Sequence, residues 1–329
     1  NIRKVKNDKI DSKGIAKLGL SKDIPVSQFP AKLVLELRSL TRKYYDLTDE
    51  RSAHINKLKG DLHTVFPQYL DVFCDVTGKT STMILRQYGT PDKILRGHKK
   101  TMIEKISKAS RKGLAKASER YEKLCAAANA AKTFGCQIDS IYFNIFLTLD
   151  LVEKLDSALD SILNRIRQLI TFNKNEKFIQ QIKLLNTIPG VGFLTAVTIM
   201  CEIGDFSAFR NPKQLFAYFG LDPEVNESGK FVGTQLHMSK RGSRIARRAI
   251  FAVALASIRT KRNGEGINPY LRKYYELKSG QKPKMVAIGA VMHKVCNIVF
   301  AVLRDEKAFE LRSPEEHCKQ YQRPALAAA

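Results

Sequence analysis

A predominantly α-helical chain is what this sequence predicts, and three observations predict it. Two long stretches carry apolar residues on an alternating four–three spacing. Glycine-containing turns separate further apolar stretches in the second half. No Val/Thr/Tyr-rich alternation is sustained anywhere, a short hairpin near Lys230–His237 apart.

The elements follow in order. Residues 1–20 read as one short helix, with Ile10, Ile15 and Leu18 near helical spacing, and Pro25 and Pro30 break the chain after it. From Ala31 a long helix carries a seam through Leu33, Leu37, Leu40, Tyr44, Leu47, Leu58 and Val65, interrupted by Arg51 and His54. A second seam runs through Ile141, Ile145, Val152, Leu155, Leu159, Ile162, Ile166 and Leu169. The two pair with each other or with a second copy of the chain. Between them lies an insertion, about residues 66–135. There Thr90-Pro91 is a turn and helix start with Thr90 as N-cap. The helix that follows bears Lys99, Lys100, Lys105, Lys108, Arg111, Lys112 and Lys116, a face that could follow a phosphate backbone or simply be solvated. After Asn173-Lys174-Asn175 the composition shifts. Expected domains are therefore 1–28, 29–175, 176–310 and a tail at 311–329.

The formal charge is +24, from 56 Lys+Arg against 32 Asp+Glu, spread through the chain. Such an excess points to a polyanion, DNA or RNA, rather than to a membrane surface, where charge would gather on one amphipathic helix. No uncharged apolar run is long enough to span a bilayer, so a cytoplasmic, nucleoid-associated protein with no membrane partner is expected. The six cysteines form no CxxC pair and read mostly as buried free thiols.

Three motifs carry chemistry. Ile188-Pro189-Gly190-Val191-Gly192 joins two apolar helices in a helix-hairpin-helix pattern. Gly190 and Gly192 would let the backbone approach a phosphate, which the next helix's N-terminus binds. The second motif is Asn226-Glu227-Ser228-Gly229-Lys230, followed by Ser239, Lys240, Arg241, Ser243, Arg244, Arg247 and Arg248. A serine attacking phosphorus needs its oxygens stabilised, and clustered cations supply that. Ser228 is the candidate nucleophile and Ser239 its rival; Ser239 and Ser243 could instead be phosphate contacts or helix caps. Third, Asp8 and Asp11 share one helix face at i, i+3, and their hard oxygens suit Mg²⁺ or Mn²⁺.

Together these blocks resemble one family. Lys6-Asn7-Asp8-Lys9-Ile10-Asp11-Ser12 resembles the K-T-D-x-x-D-A element closing the RuvC-like domain of DEDD insertion-sequence transposases, the Piv/MooV-like group. Ile188–Gly192, Phe216–Pro223, Glu227–Gly229, Met238–Gly242 and the late block from Gly280 to Lys294 resemble successive parts of that family's C-terminal domain. The resemblance implies a remnant of a RuvC/RNase H-like α/β domain, of which residues 1–28 are the last helix. It also implies a coiled coil and a helical C-terminal transposase domain.

The activity it implies is cutting and rejoining donor and target DNA, guided by a structured noncoding RNA. Ser228 would form a covalent phosphoserine link, and Asp8 and Asp11 would be the last two acids of a metal-binding tetrad. Homo-oligomers, dimeric or tetrameric, would form through the coiled coils. The family's first Asp and its Glu lie upstream of the K-T-D element, on strands this sequence does not contain. The metal site is therefore not expected to assemble from this chain alone, which reads as the tail of a longer protein or a truncated element. Two other classes stay open: a noncatalytic nucleic-acid-binding fragment or scaffold, and a junction-type endonuclease that uses only the acids.

Overall fold

A computed structural model describes residues 8–20, 30–134, 136–224, 227–228, 231–232, 237–313 and 315–316. Helix α1 (Asp8–Leu20) comes first, and its residues 11–20 are all exposed, Ile15 and Leu18 included. The first seven residues of the expected helix lie outside the described residues.

The spine is a pair of helices, α2 (Lys32–Val65) and α8 (Asp139–Phe172), each of 34 residues. At 1.5 Å per residue each is about 50 Å long. They run antiparallel: the Tyr142 hydroxyl donates to the Val65 carbonyl, while Arg51 meets Asp156 midway at 2.5 and 3.2 Å. Thus the two seams mate within one chain, and Arg51, an interruption in the pattern, is answered by a carboxylate on the partner helix.

The seams are legible but shifted. Leu37, Leu47, Leu58 and Val65 are buried, whereas Leu33, Leu40 and Tyr44 are half-exposed and Val34, Thr41 and Leu62 take their place. On α8, Ile145, Val152, Leu159 and Ile166 are buried and the remaining seam residues half-buried. A straight α-helix drifts about 20° per heptad against a 3.5-residue repeat. In addition, α2 contributes its two ends to two different cores.

The first core is the insertion's. Helices α3 (Tyr69–Val72), α4 (Lys79–Gln87), α5 (Pro91–Arg96), α6 (Lys99–Ser110) and α7 (Leu114–Phe134) pack over Leu58 and Leu62 of α2 and Ile145 and Leu149 of α8. Thr90 caps α5 as expected, accepting from the Lys93 amide. The single basic helix does not form. Gly97 ends α5, and the chain turns again at Arg111 (φ 54°) and Gly113 (φ 80°), so the cations fall on α6, the α6–α7 turn and α7. Lys99 pairs with Glu122, and Lys105 donates to Gln87. Lys100, Lys108, Arg111, Lys112 and Lys116 stay exposed.

The second core belongs to α9 (Lys177–Leu185), α10 (Phe193–Ile203), α11 (Pro212–Tyr218), α12 (Arg244–Ser257), α13 (Pro269–Ser279) and α14 (Lys284–Asp305). Leu37 and Ile166 join it from the spine. Ala196 to Ile203 of α10 is buried without a break, Thr198 and Glu202 included, as expected of a helix that is apolar nearly all round. Helix α14, interrupted by Lys294, is long and apolar enough to cross a membrane by length and composition alone. Here 56% of that stretch is buried, with Val291, Val295, Val299 and Leu303 inside the core. The thiols also differ from expectation. Cys201 and Cys296 are buried, Cys125 is half-buried, and Cys74 and Cys136 are exposed on connections rather than in apolar helices. Cys318 lies outside the described residues.

Candidate nucleophile hairpin and basic cluster

Between α11 and α12 the chain leaves the core and returns. At the base, the Ser239 amide donates to the Asp222 carbonyl (2.8 Å) and the Ser239 hydroxyl to the Asp222 carboxylate (2.6 Å). One step further out, Pro223 bridges Met238 and the Glu224 amide donates to the His237 carbonyl. Beyond these, β1 (Glu227–Ser228) pairs antiparallel with β2 (Phe231–Val232), Ser228 opposite Phe231. Only residues 229 and 230 separate the strands, the length of the tightest hairpin loops. Lys230, expected to contact nucleic acid, lies outside the described residues. The described pairing begins with Pro223 and Met238, earlier in the chain than the sequence suggested, and Ser228 is the last residue of β1.

Beneath this arm two backbone segments cross in contact. A Cβ on Gly242 would lie 2.0 Å from the Tyr218 carbonyl oxygen, and one on Gly220 (φ +66°) 2.4 Å from the Gly242 nitrogen. Arg247 braces the crossing, donating to the carbonyls of Phe219, Lys240 and Gly242 at 3.2, 3.2 and 2.6 Å. Ser243 N-caps α12, accepting from the Ala246 amide. Lys240 and Arg241 are exposed beside it. Arg244 and Arg248, one turn apart on α12, both reach Asp49 of α2, at 3.2 and 2.7 Å. The Arg248 guanidinium also lies 4.8 Å from the centre of the Tyr45 ring.

Under the cap sits Glu202 of α10, 3% exposed, clamped by Arg42 of α2 at 2.8 and 2.9 Å. Burial pushes the Glu202 carboxyl up, but hydrogen bonds from Arg42 and Ser243 and the charges of Arg42 and Arg38 outweigh it, so the net shift is down. The same pairing raises Arg42. Neither Glu202, Arg42, Tyr45 nor Asp49 was singled out from sequence. One signal was present: Glu202 is the sole charged residue in the apolar run Phe193–Ile203.

The α9–α10 turn gives its two glycines different reasons. Gly190 (φ +96°) faces inward: a Cβ there would lie 2.5 Å from the Ser257 hydroxyl, which donates to the Pro189 carbonyl. Gly192 is exposed at the uncapped start of α10, and a Cβ there would meet nothing within 4 Å. Asp8 opens α1 and Asp11 is exposed on it. Among the described residues, no group of three or more His, Cys, Asp or Glu side chains is placed to hold a metal ion. Two carboxylates are the right donors in kind for Mg²⁺ but too few to enclose it.

Residues 182–276, which contain the hairpin, its crossing and the whole arginine cluster, match the family described as transposase IS116/IS110/IS902. Residues 1–67, α1 and α2, match a second transposase family, the DEDD type of IS110. Both matched stretches thus carry the signature of IS110-type transposases. It is 23% identical over 286 residues to an uncharacterized protein of insertion element IS110 from Streptomyces coelicolor, covering 86% of this chain and 66% of that one. The pilin gene-inverting protein of Moraxella bovis is 30% identical over 177 residues, 54% of this chain and 52% of the relative. A protein of insertion element IS116 from Streptomyces clavuligerus is 24% identical over 311 residues, 94% and 74%. The chain thus spans 66% and 52% of the first two relatives. The two matched stretches meet physically, through Arg42–Glu202 and through Asp49 with Arg244 and Arg248.

Proposed function

We propose that this chain is the serine-bearing part of a DNA recombinase of insertion-sequence type. The observation that carries it is the braced hairpin within the family-matched stretch. A braced base (the Asp222–Ser239 lock, the Gly220/Gly242 crossing and the Arg247 brace) supports the β1–β2 pair, in which Ser228 is the last residue of β1. Such an arm can deliver a nucleophile to a phosphodiester without deforming the core. In the step proposed, the Ser228 oxygen bonds to phosphorus and loses its proton. The bond from phosphorus to one sugar oxygen breaks, and that oxygen takes up a proton; the reverse attack rejoins DNA. In this reading Ser239 serves the base of the hairpin, where its hydroxyl donates to the Asp222 carboxylate.

Exposed Lys240, Arg241 and Arg244 contribute phosphate contacts, with Arg248 beside them, while Arg247 supports them from beneath. Gly192 presents the free amides of the α10 N-terminus. A structured guide RNA fits the excess positive charge, and the exposed cations of the insertion are the surface offered for it. A divalent ion, were it held by Asp8 and Asp11, would supply Lewis-acid stabilisation of phosphate. The remaining ligands would come from outside the described residues or from a second chain, and no step here depends on it.

The test is a denaturing-gel assay for a covalent protein–DNA adduct, made with the gene's whole reading frame, Mg²⁺ and the co-expressed flanking RNA. Ser228→Ala should abolish the adduct and leave nucleic-acid affinity within about twofold. Ser239→Ala should retain it. Binding without any adduct would transfer the chain to the noncatalytic scaffold class. Cleaved ends without an adduct would favour an endonuclease.

A further inference from the structure

Asp49 does more than decorate α2. Arg244 Nη2 meets one of its carboxylate oxygens at 3.2 Å and Arg248 Nη1 meets the other at 2.7 Å. Two arginines thereby grip the two oxygens of a single anion. Arg248 is backed by the Tyr45 ring, which fixes the plane of its guanidinium. Tyr45 belongs to α2 and is only half-exposed, so the ring that backs Arg248 comes from the same helix as Asp49. A phosphodiester offers the same pattern, two non-bridging oxygens sharing one negative charge.

We infer that Arg244, Arg248 and Tyr45 form a seat for one nucleic-acid phosphate, and that Asp49 occupies it as a built-in competitor. The inference rests on the nucleic-acid reading above and adds to it a resting occupant and a new ring. The pairs are suited to exchange, since the side chains of Arg244, Arg248 and Asp49 are 73%, 36% and 45% exposed. Ion pairs so exposed are weak, and a backbone phosphate with neighbouring contacts displaces them. Glu202, by contrast, is buried under Arg42 and offers no such exchange. The seat also joins α2 to α12, so a bound phosphate loosens one link between the spine and the C-terminal core. The exchange conserves the charge balance of the seat: two cations face one carboxylate at rest, and the same two face one phosphate once Asp49 withdraws.

The experiment compares wild type, Asp49→Asn, Asp49→Ser and the matched charge control Glu50→Gln in binding a fluorescent DNA duplex and an RNA hairpin across a salt series. Both Asp49 variants should bind about threefold to tenfold more tightly than wild type, the advantage expected from freeing two weak pairs. Glu50→Gln should shift affinity less than twofold. In an Arg244→Gln/Arg248→Gln background, Asp49→Asn should have no effect. Melting temperatures of all variants report folding, and Asp49→Ser repeats the test should Asn keep the contact through its amide oxygen. If wild type binds and Asp49→Asn behaves like Glu50→Gln, the seat is overturned and the nucleic-acid reading stands. If no variant binds at low salt, that reading itself fails and the seat falls with it.

Discussion

Gly242→Ala puts a methyl group into the crossing beneath the hairpin. The new carbon would lie 2.0 Å from the Tyr218 oxygen, 2.5 Å from the Phe219 carbonyl carbon and 2.7 Å from the Gly220 nitrogen. All three are backbone atoms, so no rotamer change relieves the contact. Comfortable separations are about 3.5 Å, so the two segments must part by roughly 1 Å or more. Parting them stretches the 2.6 Å bond from Arg247 to the Gly242 carbonyl and the 3.0 Å bond from the Lys240 amide to Gly220. Overpacking costs about 1–3 kcal/mol and a lost hydrogen bond about 1 kcal/mol, giving about 2–4 kcal/mol. A global loss of that size lowers the melting temperature by about 3–6 °C in a chain of this length. A local loss appears as faster trypsin cleavage after Lys240 or Arg241, on the order of 30-fold or more. Gly289→Ala is the internal control: it lies in α14 with nothing within 4 Å of its Cβ position, and should stabilise by about 0.5–1 kcal/mol. A Gly242→Ala protein that melts and digests like wild type would refute the account of the crossing and of the braced base drawn from it.

Two further outcomes test other parts. Arg42→Met strands the Glu202 carboxylate and should cost about 1–3 kcal/mol, less than a fully buried pair because the Arg42 side chain is 52% exposed. Because the folded Glu202 lies below the ordinary carboxylate value, its stabilisation is present above that value and is lost as pH falls through the folded one. The gap between wild type and Arg42→Met should therefore narrow on acidification, and a gap constant from about pH 6 to about pH 3 would contradict the pairing. In native alkylation followed by peptide mapping, Cys74 and Cys136 should label first. Cys201, whose thiol burial pushes up to about 12, and Cys296 should label only after denaturation.

The sequence carried the helices because their signals are local. Thr90-Pro91 caps α5 by its own chemistry, and the seam residues Leu37, Leu58, Ile145 and Ile166 are buried because heptad spacing alone selects one face. It misjudged the insertion's basic helix for a reason that is also local but weaker: a left-handed Arg111 ends α6 with no glycine or proline at that position. The candidate site was legible only as a row of charges. Arg247, Arg244 and Arg248 look alike in sequence, yet one is consumed by three carbonyls and two by a carboxylate from α2, almost 200 positions away. Glu202 and Arg42 meet across a similar gap, and no short-range pattern encodes such meetings. Gly190 read as room for a phosphate, whereas its positive φ already answers to Ser257 from α12.

The shared spine imposes an order on how the molecule can be made. Among the described residues the insertion core draws on none beyond Leu149, so it can close once α8 has begun to emerge from the ribosome. The other core must place Leu37, near the start of α2, among residues as late as Leu303. Closing so long a loop is slow, and until then the first half of α2 keeps its apolar face in water. A ribosome pause anywhere between these two points leaves a knob folded at one end of α2 and an adhesive, half-dressed rod at the other. The chain's vulnerability to aggregation and to proteases is thereby concentrated in the last half of its own synthesis.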